Sequence, residues 1–163
     1  MARTLNYNVQ AGLSPTLENR WMDGQTLDMT GLLKAFQEFW RENGEVWIER
    51  FQYKEAAPHL ILMAFLQRVV NGGAKLDREF ATGTRRVDLC VDYAGRRYPL
   101  ELKLMRGDKS RTEGLEQIAA YAERLGASEG WLVLFDRSAR SWDEKISWET
   151  LDRAGRALHV VNC

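Results

Sequence analysis

Residues 85–104 read RRVDLCVDYAGRRYPLELKL, two runs of period-two alternation on either side of an Ala94-Gly95 pair. Strand side chains alternate between the two faces of a sheet. Val87, Leu89 and Val91 therefore share one face, with Asp88 and Cys90 on the other. In the second run Leu100, Leu102 and Leu104 share a face, opposite Glu101 and Lys103. When the aliphatic faces coincide on a core, Asp88, Glu101 and Lys103 gather together on the reverse. Paired strands lie about 4.8 Å apart, so two carboxylates and an ammonium then converge within reach of one ion.

Carboxylates that close repel unless a cation sits between them. Hard oxygen ligands with open positions suit Mg²⁺, which keeps several waters and adds phosphate oxygens. A neighbouring lysine can orient or deprotonate an attacking water and offset charge in a phosphodiester transition state. The competing explanation is a solvated strand face, because a lone E-x-K is a weak motif.

Around the hairpin the pattern is helical before and mixed after. Residues 1–28 are polar and weakly patterned, with Ser14-Pro15 and Met22-Asp23-Gly24-Gln25 as turn signals, and read as an arm or linker. Asp28 or Thr30 can cap a helix over about 31–42, where Leu32, Leu33, Phe36, Phe39 and Trp40 fall on one face. Asn43-Gly44 is expected to stop it, and residues 45–53 fit either a short helix or a strand. A second helix enters with Pro58 in its first turn, runs to about Val70 and ends at Asn71-Gly72-Gly73. Its segment 60–66, LILMAFL, is apolar all round and should be central.

Residues 74–80 read as a first strand, the hairpin as two more, and 112–125 as a helix with Leu115, Ile118, Ala122 and Leu125 inward and Gly126 as its stop. The run WLVLF, 131–135, suits an interior strand. Ser141 and Glu144 have capping-box spacing, although 145–148 also fit a strand, and 157–163 form a candidate last strand. The expected fold is α/β, a mixed sheet flanked by helices.

Composition narrows the function classes. At 163 residues and 45% hydrophobic, the chain can bury a core and is not wholly disordered. Lys+Arg and Asp+Glu balance at 23 each, so any contact with nucleic acid must come from a local patch. The two cysteines, Cys90 and Cys163, make no disulfide framework and suit a reducing, cytoplasmic setting. No export signal or membrane span is evident. His59 and His159 lack metal-ligand companions in sequence and read as structural.

The ordered set is a helix with an acid, a strand with Asp88, a strand with Glu101-x-Lys103, then a helix with Gln117 and Tyr121 in EQIAAY. It resembles the PD-(D/E)XK nuclease superfamily. Over about residues 29–148, the blocks GLLKAFQEFWRENGEVWIERFQYKEAAPHLILMAFLQRVVNGG, DREFATGTRRVDLCVDY and GLEQIAAYAERLGASEGWLVLFDR are similar to the nuclease-like C-terminal region of bacterial AAA-ATPase-like proteins. The resemblance implies a restriction-endonuclease-like core in the order α-β-β-β-α-β with an N-terminal helical extension, occupying 29–163. It implies Mg²⁺ (or Mn²⁺) on Asp88, Glu101 and the Leu102 carbonyl. Glu55 is the expected first-motif acid and Glu79 its competitor, while Gln117 and Tyr121 take accessory polar positions. Lys103 would assist water. The sequence departs from the pattern where Val87 replaces proline, and it carries no ATPase domain, so an ATPase partner or fused domain is a further expectation. The segment 106–110, RGDKS, lacks the spacing of a phosphate loop.

Arg85, Arg86, Arg96, Arg97, Lys103, Arg106, Lys109 and Arg111 face four acids within 85–111, a local surplus that can contact nucleic-acid phosphates. No helix-turn-helix, zinc knuckle or RNA-binding signature indicates sequence-specific readout. The leading expectation is a metal-dependent DNA nuclease. The alternative is a nuclease-like module, inactive alone, that binds nucleic acid or protein. A third is a structural domain forming a homodimer through Phe36, Phe39 and Trp40.

Overall fold

The computed structural model describes residues 20–50, 56–82 and 85–163. Its compact units are two, one ending at Leu76 and one spanning Asp77–Cys163. Trp21 and Leu27 are already buried, and Met22 bridges Leu27, so the described part of the expected arm belongs to a folded unit.

In the first unit, helix α1 spans Met29–Arg50 and α2 spans Ala56–Asn71. Asp28 supplies the cap: its Oδ1 accepts the Gly31 N–H at 2.9 Å, and its carbonyl accepts the Leu32 N–H. The helix does not stop at Asn43-Gly44. Asn43 turns its side chain back along the axis, its Nδ2 donating to the Phe39 carbonyl at 3.0 Å, so the residue expected to end the helix is absorbed into it. Residues 45–50 accordingly continue the helix, and 51–53 lie outside the described residues.

Two of the three aromatic side chains on this helix, Phe36 and Trp40, lie in the core of the first unit, and Phe39 is half-buried. Phe36 and Trp40 are fully buried, and Phe36 meets Phe65 of α2 edge-on at 5.4 Å between ring centroids. On α2, Ile61, Leu62, Ala64, Phe65 and Leu66 are buried, but Leu60 is 39% exposed, so the helix is not central all round.

Strands Lys75–Thr82, Arg85–Tyr93, Arg96–Leu104, Glu129–Phe135, Ser147–Arg153 and Arg156–Asn162, numbered β1 to β6, form one mixed sheet in the order β1-β2-β3-β4-β6-β5, and all of it from Asp77 onward belongs to the second unit. Strands β3, β4 and β6 run parallel, while β2 pairs β3 and β5 pairs β6 antiparallel. Helix α3, Asp108–Leu125, crosses from β3 to β4, and a single turn, α4, occupies Trp142–Lys145 behind the Ser141–Glu144 capping box. Both hairpins turn on an Ala-Gly pair with positive φ at each residue, 51° and 76° at Ala94-Gly95 and 52° and 77° at Ala154-Gly155. That is the backbone a tight two-residue connection between twisted strands requires.

Helix α3 lies against β2, β3, β4 and β6. Its Leu115, Ile118, Tyr121 and Ala122 are buried, the first three packing with Cys90, Leu132, Leu134, Leu158 and Val160. The approach is close because two glycines permit it. A Cβ on Gly114 would lie 2.5 Å from Leu132 Cδ1, and one on Gly130 would lie 2.8 Å from Ile118 Cγ1. Gly126 ends the helix in the left-handed conformation, its N–H donating to the Ala122 carbonyl.

Candidate metal centre

The β2–β3 register pairs Leu89 with Leu100 and Cys90 with Pro99, so residues whose numbers sum to 189 face one another. Asp88 and Glu101 are the next pair in that count. With Lys103 two residues along β3, all three side chains lie on one sheet face, as the alternation requires. That face also carries Cys90, Leu132 and Leu134, on which α3 packs. The opposite face carries Leu89, Val91, Leu100 and Leu102, all buried. The polar trio is therefore set into a covered layer rather than spread over a solvated strand face.

Burial transforms the chemistry of Glu101. Only 6% of the residue is exposed, and its Oε2 is buried with no hydrogen-bond partner. Loss of solvation, and then the charge of Asp88, push its carboxyl up to about 8, with Lys103 pulling the other way. A second buried acceptor, Gln117 Oε1 on α3, also has no partner. Buried polar atoms are nearly always satisfied, so two orphaned acceptors in one unit call for a donor or a cation.

Asp88 divides its carboxylate. Oδ2 accepts the Leu102 main-chain N–H at 2.9 Å. The Met105 N–H donates to the Phe135 carbonyl, so odd-numbered residues of β3 turn their main-chain groups toward β4 and even-numbered ones toward β2. Leu102 thus points both its N–H and its carbonyl toward Asp88's strand. Asp88, Glu101 and the Leu102 carbonyl form an all-oxygen donor set that fits a hard divalent ion. Among the described residues no group of three metal-ligating side chains occurs, and Glu55 lies outside those residues. Nothing is described of the Glu79 side chain.

Tyr121 is buried in the apolar cluster with Cys90, where it packs. Cys90 itself is an inert thiol, pushed up to about 11 chiefly by burial, and Cys163 is raised for the same reason.

The basic residues separate. Arg96 and Arg97 are exposed at the β2–β3 turn, and Arg106 is exposed beyond the other end of β3. Lys109 faces Glu113 at 3.5 Å, and Arg111 bonds Glu149 of β5. Arg85 and Arg86 start β2, with their side chains outside the description.

Sequence reading passed over Asp136, at the end of β4. It is buried, accepts from the Ser138 N–H at 2.8 Å and is gripped by the Arg140 guanidinium. Burial alone would raise its carboxyl, but these bonds hold it at about 2. The adjacent Ser-x-x-Glu capping box was a visible signal for this turn; the Asp-to-Arg spacing of four was the other. His159 is likewise a satisfied structural residue, between Thr150 at 2.9 Å and Glu129 at 3.2 Å and stacked on Trp131. No helix among the described residues is long and apolar enough to cross a membrane. No protein-family model and no curated protein matches the chain.

Proposed function

We propose that this protein is a metal-dependent phosphodiesterase with a restriction-endonuclease-like core, acting on DNA. The observation that carries the reading is the buried, unpartnered Glu101 Oε2 on the face it shares with Asp88 and Lys103. Asp88, Glu101 and the Leu102 carbonyl would hold Mg²⁺ or Mn²⁺. When bound, the ion would polarise the scissile phosphate and lower the pKa of water.

The protein's own groups do the rest. Lys103, half-buried on the Glu101 face, offsets charge as the phosphate becomes pentacoordinate and holds the attacking water. Gln117, whose buried Oε1 has no partner, would accept a hydrogen bond from a water and orient it. Arg96 and Arg97 at one end of β3 and Arg106 at the other can contact flanking phosphates.

A second reading has its own support. Two carboxylates are few for an independent metal site, and among the described residues no third joins them. A module that binds nucleic acid or protein, and gains activity only with an ATPase partner, accommodates that count. Nicking of supercoiled DNA separates the two. The nuclease reading expects nicking with Mg²⁺ or Mn²⁺, none with a chelator, and loss in Asp88→Asn. Metal-independent DNA binding without nicking, equal in wild type and Asp88→Asn, would favour the binding module.

A further inference from the structure

The Leu102 N–H on β3 bonds the side chain of Asp88 on β2, fourteen residues away in sequence, at 2.9 Å. Among the described pairs the register runs from Tyr93↔Arg96 to Leu89↔Leu100, and the carboxylate bond joins the same two strands next to the last of them. Bonds from a main-chain N–H to a carboxylate are among the stronger hydrogen bonds in proteins. The main-chain unit it fixes lies between Glu101 and Lys103, and the same residue's carbonyl leaves on the same side of the strand.

We propose that Asp88 is a positioning residue for the main chain of β3 as well as a carboxylate donor. With one oxygen it clamps the Leu102 amide, so that the Leu102 carbonyl and the Glu101–Lys103 segment are preset before any ion arrives. Its other oxygen, Oδ1, remains for the ion. This inference rests on the metal-site reading for its purpose, but the clamp exists without metal and is measured without it.

Two predictions distinguish the clamp from an ordinary structural contact. In metal-free wild-type protein, a through-hydrogen-bond scalar coupling should appear between the Leu102 amide nitrogen and the Asp88 carboxyl carbon. In hydrogen exchange, the Leu102 amide should exchange about tenfold or more faster in Asp88→Ala. Asp88→Asn, whose side-chain oxygen can still accept, should restore most of that protection. Amides within the paired register, such as that of Val91, should be unchanged.

Mn²⁺ titration adds the functional readout. Both variants lose a carboxylate donor, but Asp88→Ala also loses the clamp and should bind more weakly than Asp88→Asn. Absence of the coupling in wild type, or equal Leu102 exchange in all three proteins, overturns the clamp even if Mn²⁺ binds. A clamp confirmed in a protein that takes up no Mn²⁺ overturns the metal site and leaves the positioning of β3 standing.

Discussion

One helix and one sheet face serve two dissimilar regions. Where Leu115, Ile118 and Tyr121 of α3 meet Cys90, Leu132, Leu134, Leu158 and Val160, the layer is apolar and complete. Where the same face reaches Asp88, Glu101 and Lys103, the buried Glu101 Oε2 has no partner. Burying polar groups without partners costs about 1–3 kcal/mol each, and a buried charge costs more. The apolar region stabilises the fold by itself. The polar corner draws on that stability and gains only when something cationic or hydrogen-donating arrives, which is how a binding site differs from a core.

The largest expected effect breaks the comparison at its functional end. Lys103→Ala should reduce metal-dependent DNA nicking by about 100-fold or more, the scale of losing one positioned group from a hydrolytic site. Its thermal unfolding should stay near that of wild type. A variant that nicks at the normal rate would show that the trio has no part in the reaction.

Next comes the cost of Glu101. Its carboxyl sits at about 8 in the folded protein, against an ordinary 4.5. Folded protein therefore binds more protons than unfolded protein across that window, so metal-free stability should fall as pH rises from 4.5 to 8 and level off above. The expected loss is on the order of 1–3 kcal/mol. Glu101→Gln should flatten the slope and be the more stable protein above pH 8. Denaturant titrations with chelator at pH 5.5 and 8.5 check this; parallel curves for the two proteins would contradict it.

The apolar end is probed by Gly114→Ala. The new methyl meets the buried Leu132 side chain at 2.5 Å, so overpacking outweighs the gain in helix propensity. A net loss of about 1–2 kcal/mol is expected, with nicking per folded molecule unchanged. An unchanged melting temperature would mean that α3 does not approach the sheet this closely.

The smallest effect belongs to Asp136. Its carboxyl is depressed to about 2 from 3.8, so its contribution is full above pH 3.8 and lost as pH falls through 2. Asp136→Asn should cost about 1 kcal/mol near neutrality, shrinking toward zero in acid, because the Arg140 side chain is half exposed and water screens the pair. A cost that persists at low pH would assign Asp136 a packing role instead.

Much of this architecture was legible in the chain. Period-two alternation placed Asp88, Glu101 and Lys103 on one face, and Gly126 and Asn71-Gly72-Gly73 marked helix ends by ordinary turn chemistry. Three features were not. Asn43-Gly44 looks like a stop, but the Asn43 bond to Phe39 keeps the helix going, a local competition that sequence does not resolve. Strand β5 is an edge strand with a largely exposed pattern, so Trp148 to Arg153 show little apolar alternation to detect. The basic run over 85–111 looks like one patch, yet Lys109 pairs with Glu113 one turn along its own helix and Arg111 with Glu149 of the distant β5. Period also gives a face but not its cover. The alternation at Asp88 and Glu101 is the same whether the face meets water or a helix, and only the packing of α3 makes Glu101 a buried acid.

Calorimetric titration of Mn²⁺ into the metal-free protein at pH 8 tests the central claim most directly. Wild type should show saturable uptake at one class of site, which Asp88→Asn and Glu101→Gln each weaken at least tenfold. A flat trace for wild type, or uptake that both variants retain at wild-type affinity, would contradict it.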